Sequence, residues 1–219
     1  MLRTKCTTIG LAGALAALTL FCSPLRAQEG DWTSWLKAGT EYRLNPAWRL
    51  AGGLEWRTKD DLSRTDRWGL DVGAACTVLP FLRLGGAYEL HCMNRGADGW
   101  KLRHRYYLDG LLSARWRQWK VSLRERLQHT FDRTDDEFCL RSRLKLAYAI
   151  PSCPWEPYVS VEMFNGLEGG ERFGVKRMRY RGGFGFPIAG KWHGDLFYCR
   201  QWDTAASRNI VGLNCTYRF

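Results

Sequence analysis

Apolar and polar residues alternate with a period of two through almost the whole chain after residue 35, the spacing that sends successive side chains to opposite faces of an extended strand. Leu36, Ala38, Tyr42 and Leu44 share one face, and Lys37, Glu41 and Arg43 share the other. Asn45-Pro46-Ala47 then turns the chain, and Trp48, Leu50, Leu54 and Trp56 return against Arg49, Glu55 and Arg57. This predicts a hairpin. The same alternation recurs at 68–78, 82–90, 102–116, 119–127, 138–148, 158–163, 178–186, 192–201 and 211–219, which makes eleven segments. A period of 3.6 is never sustained, so the expected fold class is all-β.

The connections sharpen this. Short ones at 45–47, 79–81, 117–119 and 187–191, with a longer one at 151–156, alternate with polar ones at 59–66, 94–100, 129–137, 165–172 and 203–208. Short turns on one rim and longer loops on the other are the pattern of an antiparallel, up-and-down transmembrane β-barrel. Trp48, Trp116, Trp119 and Trp192 fall at or beside the short turns, where a membrane interface collects aromatic rings. The chain ends on Tyr217-Arg218-Phe219, which resembles the insertion signal of outer-membrane barrels, with Tyr217 and Phe219 on the apolar face. Bacterial barrels carry an even number of strands, so the eleven segments predict ten to twelve strands, with twelve favoured. A soluble sandwich or lipocalin-like barrel is the competing fold, and it assigns the two faces the opposite way. Its apolar face would be the core and its charged face would meet water.

Residues 1–27 read as a cleaved secretory signal: Arg3 and Lys5 precede an apolar run from Ile9 to Phe21, and Leu25-Arg26-Ala27 precedes a cleavage point at Gln28. Cys22 raises a lipoprotein alternative that the bulky Phe21 disfavours. The barrel domain is then 28–219. The chain holds 33 Lys and Arg against 22 Asp and Glu, a net +11. The excess survives removal of the signal, which takes three basic residues and no acid. Six cysteines remain (Cys76, Cys92, Cys139, Cys153, Cys199 and Cys215), with no CxxC and no Cys/His spacing that suits a metal. Their positions predict no disulfide, and no metal or cofactor is expected.

Two stretches carry a resemblance. Leu102-Arg103-His104-Arg105-Tyr106, running on to Ser122-Leu123-Arg124-Glu125-Arg126-Leu127-Gln128, and Leu140-Arg141-Ser142-Arg143-Leu144 with Pro157-Tyr158-Val159-Ser160-Val161-Glu162, resemble the barrel family called domain of unknown function 2490. The resemblance spans roughly 32–219 and implies a bacterial outer-membrane barrel. It leaves the function open.

On a barrel the polar face lines the lumen. That face carries Arg103, Arg105, Arg115, Arg117, Lys120, Arg124, Arg126, Arg141, Arg143, Lys145, Arg177, Arg179 and Arg181, against Glu41, Glu55, Asp71, Glu89, Asp109, Glu162 and Asp195. Guanidinium groups stay charged and grip oxyanions bidentately. One expectation is therefore a narrow, anion-biased channel or a barrel that binds an acidic solute. Another is a closed structural barrel acting through its outer loops, with arginines and carboxylates pairing across the lumen and plugging it, since barrels of eight strands are filled by side chains and one of ten to twelve would have only a narrow pore. A lipid-modifying enzyme is a distant third, because no His-x-Ser is present. His91, His104, His129 and His193 sit in unlike contexts, and His193 with Asp195 is the one pair on a common face that could orient an imidazole. The chain is thus expected not to be an enzyme. Nucleic acid is excluded by the signal and by basic residues that alternate instead of forming a patch. The partners expected are outer-membrane lipid, the barrel assembly machinery and a small anionic solute, at the outer membrane. Glu125 falls on the apolar face where a charge is costly, and a bulge near Arg124 is expected to turn it inward.

Overall fold

The computed structural model describes residues 30–167, 174–204 and 206–219. The signal reading at 1–27 and part of the 165–172 loop lie outside the described residues. Eleven strands follow in order: β1 (Asp31–Arg43), β2 (Trp48–Lys59), β3 (Arg64–Leu79), β4 (Leu82–Asn94), β5 (Trp100–Trp116), β6 (Trp119–Phe131), β7 (Asp136–Tyr148), β8 (Glu156–Gly166), β9 (Val175–Pro187), β10 (Trp192–Asp203) and β11 (Ser207–Arg218). Each pairs antiparallel with its sequence neighbour. The sheet closes by β1 pairing in parallel with β11, from Asp31↔Arg208 to Glu41↔Arg218.

Twelve strands were favoured by parity, and eleven form. An odd count of alternating strands leaves the first and last pointing the same way, so the barrel can close only through one parallel pair, and β1 and β11 supply it. β1 accordingly starts at the rim where Asp31 accepts from the Asp61 amide, opposite the rim where the chain ends. The two rims also differ less than the spacing of polar residues suggests. β6 runs on to Phe131 and β7 starts at Asp136, so the expected loop at 129–137 shrinks to 132–135, and the connection between β2 and β3 to 60–63. Backbone pairing continues through polar residues because a strand end in water has no better use for its amides. The rim carrying the tight turns 80–81 and 117–118 is called the turn rim below, and the other the loop rim.

The face assignment holds on every strand. Leu54, Leu70, Val72, Leu108, Leu144 and Val159 point outward and stand open, with Leu108 68% exposed, whereas inward Glu162 and Gln201 are 5% and 2% exposed. A water-soluble fold would bury the first set and expose the second. The barrel is therefore inside-out, and it is of the outer-membrane type. Strands of 11 to 17 residues meet or exceed the ≈ 9–11 needed to cross a bilayer. Trp48, Trp116, Trp119 and Trp192 ring the turn rim on the outer face, as the girdle reading requires.

One outward expectation is settled by register. β6 pairs without interruption to β5 and to β7, so no bulge forms near Arg124 and Glu125 stays on the lipid-facing surface, where Ser142 Oγ donates to it at 2.6 Å. The six described cysteines are all free.

The inward face is uneven. On the β7–β11 side an apolar cluster of Ala147, Tyr158, Phe197, Cys199 and Ile210 packs with Trp35 of β1. The Phe197 ring lies over Gly212, where an added Cβ would sit 2.1 Å from the ring. On the β2–β4 side the inward positions toward the turn rim include Ala51, Gly73, Ala75, Gly85 and Ala87, which project almost nothing into the lumen.

Candidate functional site

The charged lumen is organised around Glu162 of β8. Arg124 Nη2 lies 2.6 Å and Arg141 Nη2 3.1 Å from its Oε1, and Arg179 Nη1 lies 3.5 Å from its Oε2. Arg141 also donates to Gln128 Oε1 at 2.9 Å, and Arg179 to Gln201 Oε1 at 2.7 Å. Bonds such as Arg124 to Glu162 skip a strand, because inward side chains of β6 and β8 converge across the concave face above β7. Smaller groups surround this hub. Arg126 donates two bonds to Asp109 Oδ2, at 2.7 and 3.2 Å, with its guanidinium 3.3 Å from the centre of the Tyr107 ring. Glu89 takes Arg105 at 3.0 Å and lies 3.3 Å from His91 Nε2. Glu55 takes Arg57 at 2.6 Å and Arg67 at 3.3 Å.

These groups join across the lumen. The Trp35 ring has Arg57 at 3.6 Å and Arg179 at 4.8 Å from its centre, both within cation–π range. A continuous chain of contacts therefore runs from Glu55 and Arg57 on β2, through Trp35 on β1, to Arg179, Glu162, Arg141 and Arg124 on β9 to β6. Because β10 and β11 are bypassed, the chain lies across the bore.

Of the expected basic wall, Arg105, Arg124, Arg126, Arg141 and Arg179 enter this lattice, with Glu89, Asp109 and Glu162 as their carboxylates, while Glu55 enters it with Arg57 and Arg67. The others lie elsewhere. Arg103 sits at the loop rim, 2.5 Å from Asp135, 3.7 Å from Glu137 and 4.0 Å from Asp132. Arg177 is also near that rim and pairs with Asp203. Arg115 is exposed at the turn rim beside Lys120. Arg117 is not in the wall: it occupies the β5–β6 turn at φ 52°, because a two-residue turn needs a left-handed residue, and its guanidinium stands 5.4 Å from the Trp116 ring. Arg181 packs 4.0 Å from the Phe197 ring, and Lys145 3.5 Å from that of Tyr158. Among the acids, Glu41 takes Arg49 at 3.1 Å, Asp71 takes Lys37 at 2.6 Å, and Asp195 accepts from Tyr158 at 2.8 Å instead of orienting an imidazole. His193 lies 3.4 Å from the Lys191 carbonyl, so its pairing with Asp195 does not form. Tyr217 and Phe219 sit on the outer face as expected, edge to face at 4.8 Å, with Phe219 also against Tyr42 at 6.0 Å.

Arg49, Arg57, Arg67 and Arg83, all inward on β2 to β4, were not among the residues expected to form the wall, nor was Trp35. Their period-two position marked Arg49 and Arg57 as inward. The concentration of arginines on β5 to β7 and on β9 places the expected wall on those strands.

Beyond the strands, Asp132 organises the β6–β7 loop. Its Oδ1 accepts from the amides of Thr134 and Asp135 at 2.8 and 2.9 Å and from the Thr134 hydroxyl at 3.0 Å. The Thr134 amide bond holds this carboxyl below the usual carboxylate range, with help from the Thr134 hydroxyl, the Asp135 amide and Arg103.

A cavity of ≈ 270 Å³ opens between the lattice and the turn rim, against the small residues of β2–β4. Arg49, Arg83, Arg124 and Arg143 line it together with Glu41, Asp71 and Asp109. No group of histidine, cysteine and acidic side chains among the described residues could hold a metal ion.

Among solved structures, the crystal structure of the β domain of the Bordetella autotransporter Brka is similar with a TM-score of 0.47 at 13% identity, over 76% of this chain and 82% of that one. No curated protein matches the sequence. The family described as "Protein of unknown function (DUF2490)" matches residues 32–211, nearly the whole barrel, and the chain belongs to it.

Proposed function

We propose that this chain is an outer-membrane barrel that holds an acidic solute within its lumen and does not conduct it freely. The observation that carries the reading is the charge imbalance at the hub: one carboxylate, Glu162, with both oxygens engaged, serves Arg124, Arg141 and Arg179 while Arg143 stands in register beside it. Buried cations call for counter-charge, and an oxyanion supplies it. The lattice across the bore supports a closed resting state. In this reading the turn rim faces the periplasm, the barrel assembly machinery recognises the strand ending at Phe219, and no covalent chemistry is performed. In support of the last point, the described histidines meet Tyr88, Asp136, Glu89 and a backbone carbonyl, never a serine or cysteine nucleophile.

The test is planar-bilayer recording of the refolded barrel under a salt gradient, beside equilibrium anion binding. Silent insertion with saturable anion binding is the expected result. Steady, open-channel steps would overturn the closed state, and silence without binding would leave the purely structural barrel. Deleting Phe219 is expected to abolish assembly into outer membranes; a soluble, folded product would refute the membrane reading.

A further inference from the structure

The cavity on the turn-rim side has the features of a binding site for one small dianion. It is bounded on the β2–β4 side by Ala51, Gly73, Ala75, Gly85 and Ala87, so the space exists because those positions carry no bulk. Its ≈ 270 Å³ lies just below the usual range of drug-sized pockets. Such a volume suits a compact anion.

The charges around it do not cancel. Glu41 is engaged by Arg49, Asp71 by Lys37 and Asp109 by Arg126. Arg124 is matched by Glu162. Two lining guanidiniums are left over: among the described residues, neither Arg83 nor Arg143 has a carboxylate within ion-pair distance. Arg143 lies in register between Arg124 on β6 and Glu162 on β8, and like charges directly opposite on paired strands repel. The Nε donors of Arg49, Arg124 and Arg143 are buried without a hydrogen-bond partner in the protein. Leaving such donors unmatched is costly, and an oxyanion with two or more oxygens matches them bidentately.

Resting on the solute-binding reading above, we infer that Arg83 and Arg143 form the charged jaws of a dianion site in this cavity, entered from the turn rim, with Arg49 and Arg124 donating additional bonds. Two uncompensated positive charges select a doubly charged oxyanion over chloride.

The experiment is isothermal titration of the refolded mature barrel with inorganic phosphate and, separately, succinate, at ionic strength held constant with sodium chloride. Saturable one-to-one binding of either is expected. The double variant Arg83→Gln/Arg143→Gln should weaken it at least tenfold. Ala51→Leu, which fills the cavity and leaves every charge in place, should do the same, and it carries the test should the double variant fail to fold. Arg133→Gln, which removes one positive charge from an exposed loop, should leave affinity unchanged. Saturable binding that neither variant weakens would overturn this site while leaving anion binding elsewhere in the lumen intact. No saturable binding to the wild-type barrel would overturn the site and the solute-binding reading together. The relative affinities of the two probes then distinguish a phosphate from a dicarboxylate ligand.

Discussion

Replacing Glu162 with glutamine removes the one carboxylate that faces Arg124, Arg141 and Arg179 at 2.6, 3.1 and 3.5 Å. Arg141 and Arg179 cannot turn to bulk water, because the hub is closed over them by Gln128, Gln201 and the Phe164 ring, which they approach at 4.5 and 4.6 Å. Removing one partner of a buried ion pair costs about 3–5 kcal/mol. Glutamine keeps a carbonyl acceptor for one bond, which places the expected loss at the lower end, about 3 kcal/mol, or more than a hundredfold in the folding equilibrium. The assay is reversible urea unfolding of the barrel in lipid vesicles, followed by tryptophan emission and by heat-modified mobility on gels. Removing Arg124 as well should restore part of the loss, because one of the stranded charges leaves with it. A Glu162→Gln barrel that unfolds within about 0.5 kcal/mol of wild type, in the range typical of surface substitutions, would refute the argument. It would show that the arginines are solvated in the lumen and that the lattice does not close it.

Glu125 stands on the lipid-facing surface with Ser142 as its hydrogen-bond partner. Glu125→Leu is expected to stabilise the barrel by about 1 kcal/mol, since the depth-dependent cost of a carboxylate there exceeds the bond it makes; a lower unfolding midpoint in the same assay would contradict this. At Gly212 a methyl group would meet the Phe197 ring at 2.1 Å, so Gly212→Ala should destabilise by about 1–3 kcal/mol, and Phe197→Leu in the same chain should recover most of it. No recovery would place the cost in the backbone and not in the ring. The depressed Asp132 carboxyl contributes order to the β6–β7 loop that is present above the ordinary carboxylate pKa of about 3.9 and is lost as pH falls through its lower folded value. Hydrogen exchange at the Thr134 and Asp135 amides should stay protected until the pH is below that ordinary value; protection already gone near pH 5 would contradict it.

Much of the architecture is legible in the chain, because period two is a one-dimensional signal with a direct physical meaning. Leu108 and Arg105 are assigned to opposite faces by parity alone, and no tertiary contact can reverse that without a bulge. The Glu125 case shows the same rule from the other side. A costly position argued for a bulge, but the ladder to both neighbouring strands is unbroken, and the charge takes a serine partner where it stands. Parity also predicted an even number of strands, and here a single parallel pair at the seam satisfies the same hydrogen bonds with eleven.

The site is another matter. Alternation says that Arg124, Arg143 and Glu162 point inward, but not that Arg124 reaches over β7 to take Glu162 while Arg143, beside both, has no carboxylate within ion-pair distance among the described residues. That choice depends on the curvature of the closed sheet, which brings every second strand within reach on the concave side. The cavity depends on it too. Ala51, Gly73, Ala75, Gly85 and Ala87 are scattered small residues along the chain and become one wall only when β2, β3 and β4 lie side by side. The sequence by itself determined which side chains face the lipid and which face the lumen, because that follows from local backbone geometry. Which lumenal charges cancel and where space remains was decided only by closure of the barrel, because both are properties of residues far apart in the chain and adjacent only across the bore.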